Sequence, residues 1–79
     1  MKGSGYMAVV KINGVEESVK SGATIFSYLD SKGYNKASVI VEYNFTILKS
    51  ELWEGTTIND KDNIEILSFV GGGWEWTES

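Results

Sequence analysis

The sequence predicts an α+β domain: a mixed sheet of four to five strands with one helix packed across one face. Three observations carry that expectation. An Asn13-Gly14 pair separates two β-rich runs, one capped helical stretch follows them, and three more strand-like runs come after it. The order strand, strand, helix, strand, strand, strand suits a single sheet covered by a single helix. With 79 residues there is room for one domain. Hydrophobic residues at 42% and aromatics at 13% supply a real core, which separates the chain from disordered sequences.

Residues 7–12 alternate, so Ala8, Val10 and Ile12 take the core face and Met7, Val9 and Lys11 the other. Asn13-Gly14 supplies the two positive-φ positions of a type I′ turn, and residues 15–20 return as the second strand. Glu16 and Glu17 are expected on its solvated edge. Ser21-Gly22-Ala23 turns the chain, Thr24 stands as N-cap, and a helix over 25–32 ends at Gly33. Ile25, Tyr28, Leu29 and the stem of Lys32 fall at helical spacing, with Phe26 beside them, and this stripe must cover the sheet.

A loop over 34–37 leads to a β-branched strand over 38–43, expected inside the sheet. Asn44-Phe45 turns into a short strand over 46–49. Residues 50–55 connect onward, with Leu52 and Trp53 expected to plug one end of the core. Residues 56–58 lead to a polar turn at 59–62. The last strand, 63–70, points Ile64 and Ile66 inward and Glu65, Leu67 and Phe69 outward. Since one helix covers one face, the other stays open, and Val9, Leu67 and Phe69 are expected to form an exposed apolar patch there, with Glu65 beside it, for partner docking. Glu42 interrupts the expected inner strand; it meets either a partner's basic group on the open face or a lysine of this chain.

The chain contains neither cysteine nor histidine. It therefore lacks disulfide and zinc staples, the strongest nucleophile and the near-neutral acid–base group, so it is not expected to be an enzyme. A formal net charge of −4, with no arginine, argues against nucleic-acid and anionic-membrane binding and suits a basic partner groove. No apolar run approaches the ~20 residues of a membrane span, and residues 1–6 lack the apolar stretch of a signal peptide, so a cytoplasmic location is expected. Asp60 and Asp62 fall short of the oxygens a calcium ion requires and are read as a solvated turn, with no metal.

Residues 1–6 are read as a flexible arm, or a remnant foreign to the native chain, before the folded domain at 7–70. Residues 71–79 are read as a flexible glycine-rich tail with an extension beyond the glycines. The triple glycine follows the final strand directly. Together with Val10-Lys11-Ile12-Asn13-Gly14, Thr24, Val41-Glu42-Tyr43-Asn44, the Lys49 to Trp53 segment and Asp60 to Ile66, it resembles the ubiquitin-like β-grasp sulfur carriers of thiamine biosynthesis, the ThiS family. The resemblance runs from Met7 to Gly73. The molybdopterin-synthase small subunit shares the fold and a Gly-Gly end, but its tail approach usually carries proline, and this chain has none. Lys61 stands where the ThiS family often has glycine, and the chain continues past the glycines through Trp74-Glu75-Trp76-Thr77-Glu78-Ser79.

The resemblance implies that a ubiquitin-activating-type adenylyltransferase joins the terminal carboxylate to the α-phosphate of ATP. Sulfur then displaces AMP to leave a thiocarboxylate, which thiazole synthase uses. ATP and Mg²⁺ belong to that partner; the chain binds no cofactor itself. Gly73 is then the attachment site and Gly71 and Gly72 the threading arm, because a chain without Cβ atoms fits a narrow tunnel. Gly73 is bonded to Trp74, so a processing peptidase that removes 74–79 is expected, with Gly72 as the alternative mature end. Two rivals stay open: a carrier or modifier for another pathway such as molybdopterin, and an interaction module of the same fold with an inert tail.

Overall fold

Asn13 and Gly14 both hold positive φ, 53° and 83°, as a type I′ hairpin requires. They join β1 (Met7–Ile12) to β2 (Val15–Lys20), which pair antiparallel from Met7 opposite Lys20 to Ile12 opposite Val15. In this computed structural model the described residues are 7–69; the expectations for 1–6 and for 70–79 lie outside them.

Helix α1 spans Ile25–Ser31. Thr24 Oγ1 accepts from the Ser27 amide at 3.1 Å while Ser27 Oγ accepts from the Thr24 amide at 2.9 Å. Two N-terminal amides are thereby satisfied reciprocally, with a serine in the place where glutamate or glutamine is the usual partner. Lys32 is the C-cap rather than the last helical residue, and Gly33 at φ 80° turns the chain away. A short 3₁₀ turn over Lys36–Ser38 leads into β3 (Val39–Tyr43), so Ser38 belongs to the turn and not to the strand. Next come β4 (Thr46–Leu48), a second 3₁₀ turn (Ser50–Leu52) and β5 (Asn63–Ser68).

The sheet has five strands in the order β2-β1-β5-β3-β4. β5 runs parallel to β1 and antiparallel to β3, so the last of the described strands is the central one. The helix covers one face. Ala8, Val10, Ile12, Val19, Val39, Val41, Ile64 and Ile66 from the sheet meet Ile25, Tyr28 and Leu29 from α1, with Trp53 and Ile58 closing the core. This is the mixed five-stranded sheet with one helix that the order of elements predicts, and the β1 alternation holds as expected.

Three expectations are corrected. Leu52 does not plug the core: it is 51% exposed while Trp53 is 4% exposed. Successive residues of a tight turn point in different directions, and here the larger indole occupies the inward position, donating from Nε1 to the Leu48 carbonyl at 2.9 Å. Glu17 is not a solvated edge residue. It stands opposite Val10, on the helix side of the sheet, and accepts from Tyr28 Oη at 2.6 Å and from Lys32 Nζ at 3.4 Å.

The turn at 59–62 is likewise not simply solvated. Asp62 is 8% exposed and its carboxylate accepts from Tyr43 Oη at 2.5 Å, Asn44 Nδ2 at 3.1 Å and the Asn59 amide at 2.7 Å. A buried carboxylate is tolerable because three donors replace its water. Asp60 caps the other side, accepting from the Val9 amide at 2.8 Å.

Candidate functional site

Any chemistry on the glycines is positioned by β5, which leads directly to them. That strand is held on both sides. The Phe69 amide donates to the Ser38 carbonyl at 2.9 Å, and five β5 residues from Ile64 to Ser68 pair with β3. On the opposite side β1 ends at Ile12, and the Asn13 side chain takes over. Its Oδ1 accepts from the Ile66 amide at 2.7 Å and its Nδ2 donates to the Ile66 carbonyl at 3.3 Å. The strand therefore delivers the chain toward Gly71, Gly72 and Gly73 from a fixed base, although those three residues lie outside the described region.

The face away from the helix carries Glu65 and Leu67, as alternation predicts, and Phe69 continues the same parity. Glu65 and Leu67 each have a direct neighbour on β3 that sequence reasoning did not assign. Leu67 stands opposite Ile40, and Glu65 stands opposite Glu42, which in turn stands opposite Ile47 on β4. Ile47 is 62% exposed. The signal for Ile40 was present in the alternation of Val39 and Val41, both inward; the pairing of the two glutamates needed the register.

Val9 does not join this patch. Lys11 stands opposite Asn63, so Val9 lies two residues short of that level and Leu67 four residues past it, about 20 Å apart along the strands. A parallel pairing of β1 with β5 puts the start of one beside the turn before the other. Val9 instead lines a depression of about 430 Å³ together with Lys11, Glu16 and the turn from Asp60 to Asn63.

The open choice for Glu42 closes in one respect. The ion pairs of the described residues join Lys32 to Glu17 and Lys36 to Asp30, so no described lysine pairs with Glu42 or Glu65. Two like charges thus face each other across neighbouring strands, an arrangement that costs stability.

Elsewhere two tyrosines and two aspartates are committed to structure. Burial, then the hydrogen bond to Asp62, pushes the Tyr43 phenol up to about 12. Tyr28 is also raised, first by burial and then by its bond to Glu17. Asp62 and Asp60 spend their oxygens within the fold. Among the described residues no group of three potential metal ligands occurs, and no helix is long and apolar enough to cross a membrane.

The ThiS family profile matches residues 7–73, ending on the third glycine. A solved structure of a thiamine biosynthesis protein (ThiS) from Geobacter metallireducens superposes with a TM-score of 0.70 at 31% identity, covering 82% of this chain and 99% of that one. The uncharacterized protein ycf40 of Porphyra purpurea is 33% identical over 64 residues, 81% of this chain and 90% of that protein. A thiazole synthase of Paramagnetospirillum magneticum is 32% identical over 68 residues, 86% of this chain. The chain spans only 21% of that enzyme's length.

Proposed function

The chain belongs to the ThiS family, a family of small carriers rather than catalysts with a ubiquitin-like β-grasp fold, and on that premise we propose that it is the sulfur carrier of thiamine synthesis. The observation that carries the reading is the continuous family match through a complete sheet to Gly73. The central strand β5, paired on both sides, offers the glycines a rigid base. Sulfur needs no thiol on such a carrier, which accords with a chain that has no cysteine.

Removal of residues 74–79 by a peptidase frees the Gly73 carboxylate. In a ubiquitin-activating-type adenylyltransferase one carboxylate oxygen attacks the α-phosphate of ATP and pyrophosphate leaves, with Mg²⁺ supplied by that enzyme. A sulfur nucleophile then attacks the acyl carbon and AMP departs, leaving the thiocarboxylate on Gly73. Gly71 and Gly72 form the narrow arm that reaches the nucleotide. Glu65, Leu67 and Phe69, joined by Ile40, form the docking side; Val9 lies too far along the sheet to belong to it. A segment similar to this chain forms part of a thiazole synthase, which supports a thiazole synthase as the recipient of the sulfur. The whole cycle is cytoplasmic.

Intact-mass measurement tests the reading in two stages. Protein isolated from thiamine-producing cells should end at Gly73, with Gly72 as the alternative end. The processed chain incubated with adenylyltransferase, ATP and a sulfur donor should gain the mass of sulfur in place of oxygen. A chain that keeps residues 74–79 in such cells, or a free Gly73 that forms neither adenylate nor thiocarboxylate, refutes it.

A further inference from the structure

We propose that Glu42 and Glu65 form a two-carboxylate clamp for an arginine carried on an otherwise apolar surface of the adenylating enzyme, and that this clamp sets how the carrier docks. The inference rests on the carrier reading and specifies the chemistry of its first partner.

Glu42 and Glu65 stand directly opposite each other on β3 and β5, where Cβ atoms are about 4.5–5.5 Å apart and like charges repel. Both are half-buried and neither pairs with a described lysine. Apolar residues flank them: Ile47 beside Glu42, and the Ile40–Leu67 pair one step along the strands. A pair of half-buried carboxylates that no described lysine neutralises is a cost to the isolated fold that an external cation removes.

A guanidinium fits this arrangement better than an ammonium. Its planar fork of donors can bridge two carboxylates at once, and its weak hydration suits an apolar surround. The apolar rim, once covered, excludes water and strengthens the contact. A second copy of this chain cannot supply the group, because the sequence contains no arginine. The strand itself ties the clamp to the chemistry. Glu65 precedes Gly73 by eight residues, at most about 29 Å of extended chain. The partner's arginine must therefore lie within that radius, extended by the reach of the Glu65 side chain, of the α-phosphate it presents to the carrier.

The test uses the isosteric double variant Glu42→Gln/Glu65→Gln in the full chain, with calorimetric titration against the purified adenylyltransferase in the absence of ATP. The expected result has opposite signs in its two halves: the melting temperature rises by about 2–5 °C as repulsion is removed, while Kd for the enzyme rises tenfold or more and its salt dependence flattens. With the chain processed to Gly73, KM for adenylation should rise with kcat unchanged. Binding equal to wild type, or a fall in kcat at constant KM, overturns the clamp. Wild-type chain that binds but is never adenylated tells against the carrier reading alone, because the ATP-free titration still decides the clamp.

Discussion

The carboxamide of Asn13 holds both backbone groups of Ile66, accepting from its amide at 2.7 Å and donating to its carbonyl at 3.3 Å. A turn residue thereby extends the β1–β5 ladder beyond the last residue of β1. The backbone of the same residue sits at φ 53°, which asparagine tolerates better than most residues. Asn13→Gly keeps the turn and removes only the grip, so it should destabilise by ~1–3 kcal/mol, the cost of leaving two part-buried backbone groups without their partner. Hydrogen exchange checks the location: protection should fall first at Ile66 and its β5 neighbours, not across β3–β4.

Asp62 accepts from Tyr43, Asn44 and Asn59 at once, which draws the 59–62 turn onto the end of β3. Asp62→Ala leaves three donors facing an apolar gap and should cost ~2–4 kcal/mol in chemical denaturation. Asp62→Asn retains an acceptor and should cost less. Equal losses from the two variants would show that charge rather than hydrogen bonding holds the turn.

Tyr43, with its phenol pushed up to about 12, gives an alkaline signature, and Tyr28 is raised too. An ordinary tyrosine ionises near 10. Above that pH the unfolded chain loses these protons while the folded chain keeps them, so the unfolded state binds fewer protons and stability falls as pH rises. The stabilisation is complete below pH 10 and is lost up to about 12 for Tyr43. Tyrosinate absorbance should show late-titrating phenols that disappear in Tyr43→Phe and Tyr28→Phe.

Phe45 and Lys61 hold φ of 72° and 74°, where glycine is at ease and a side chain is not. Phe45 is 77% exposed, so little packing opposes its replacement. Phe45→Gly and Lys61→Gly should each raise stability by up to ~1 kcal/mol, net of the entropy glycine adds to the unfolded chain. Thermal melts of the single variants check the sign.

Leu52 and Trp53 are adjacent in sequence and opposite in burial. Leu52→Ala should change stability by less than ~0.5 kcal/mol, as for exposed surface positions. Trp53→Ala should cost ~3–5 kcal/mol through the cavity and the lost bond to the Leu48 carbonyl.

Where local rules were enough, the sequence was readable. Asn13-Gly14, Thr24 and Gly33 marked turn, cap and stop, because backbone sterics and capping act over three or four residues. Alternation placed Ala8, Val10 and Ile12 inward and Glu65 and Leu67 outward. The glycines after β5 were visible as a candidate arm for the same reason: absence of Cβ is a property of residues, not of their surroundings.

Other features depended on partners far along the chain. Asp62 looked like a solvated turn residue until Tyr43 and Asn44, nearly twenty positions earlier, closed on it. Glu17 seemed to lie on an open edge until α1 brought Tyr28 over it. Leu52 and Trp53 were equivalent apolar residues in the sequence; a 3₁₀ turn and the space beneath it chose one.

By itself, then, the sequence determined the elements and the core stripe and marked the glycines proposed as the carrier arm, since each follows from periodicity or from the intrinsic conformational range of single residues. The tertiary structure decided which residues share the open face. Parallel pairing of β1 with β5 sent Val9 to the far end of the sheet, and the β3–β5 register set Glu42 against Glu65. Register is a relation between strands brought together only by folding, and a shift of one residue would turn every side chain to the other face.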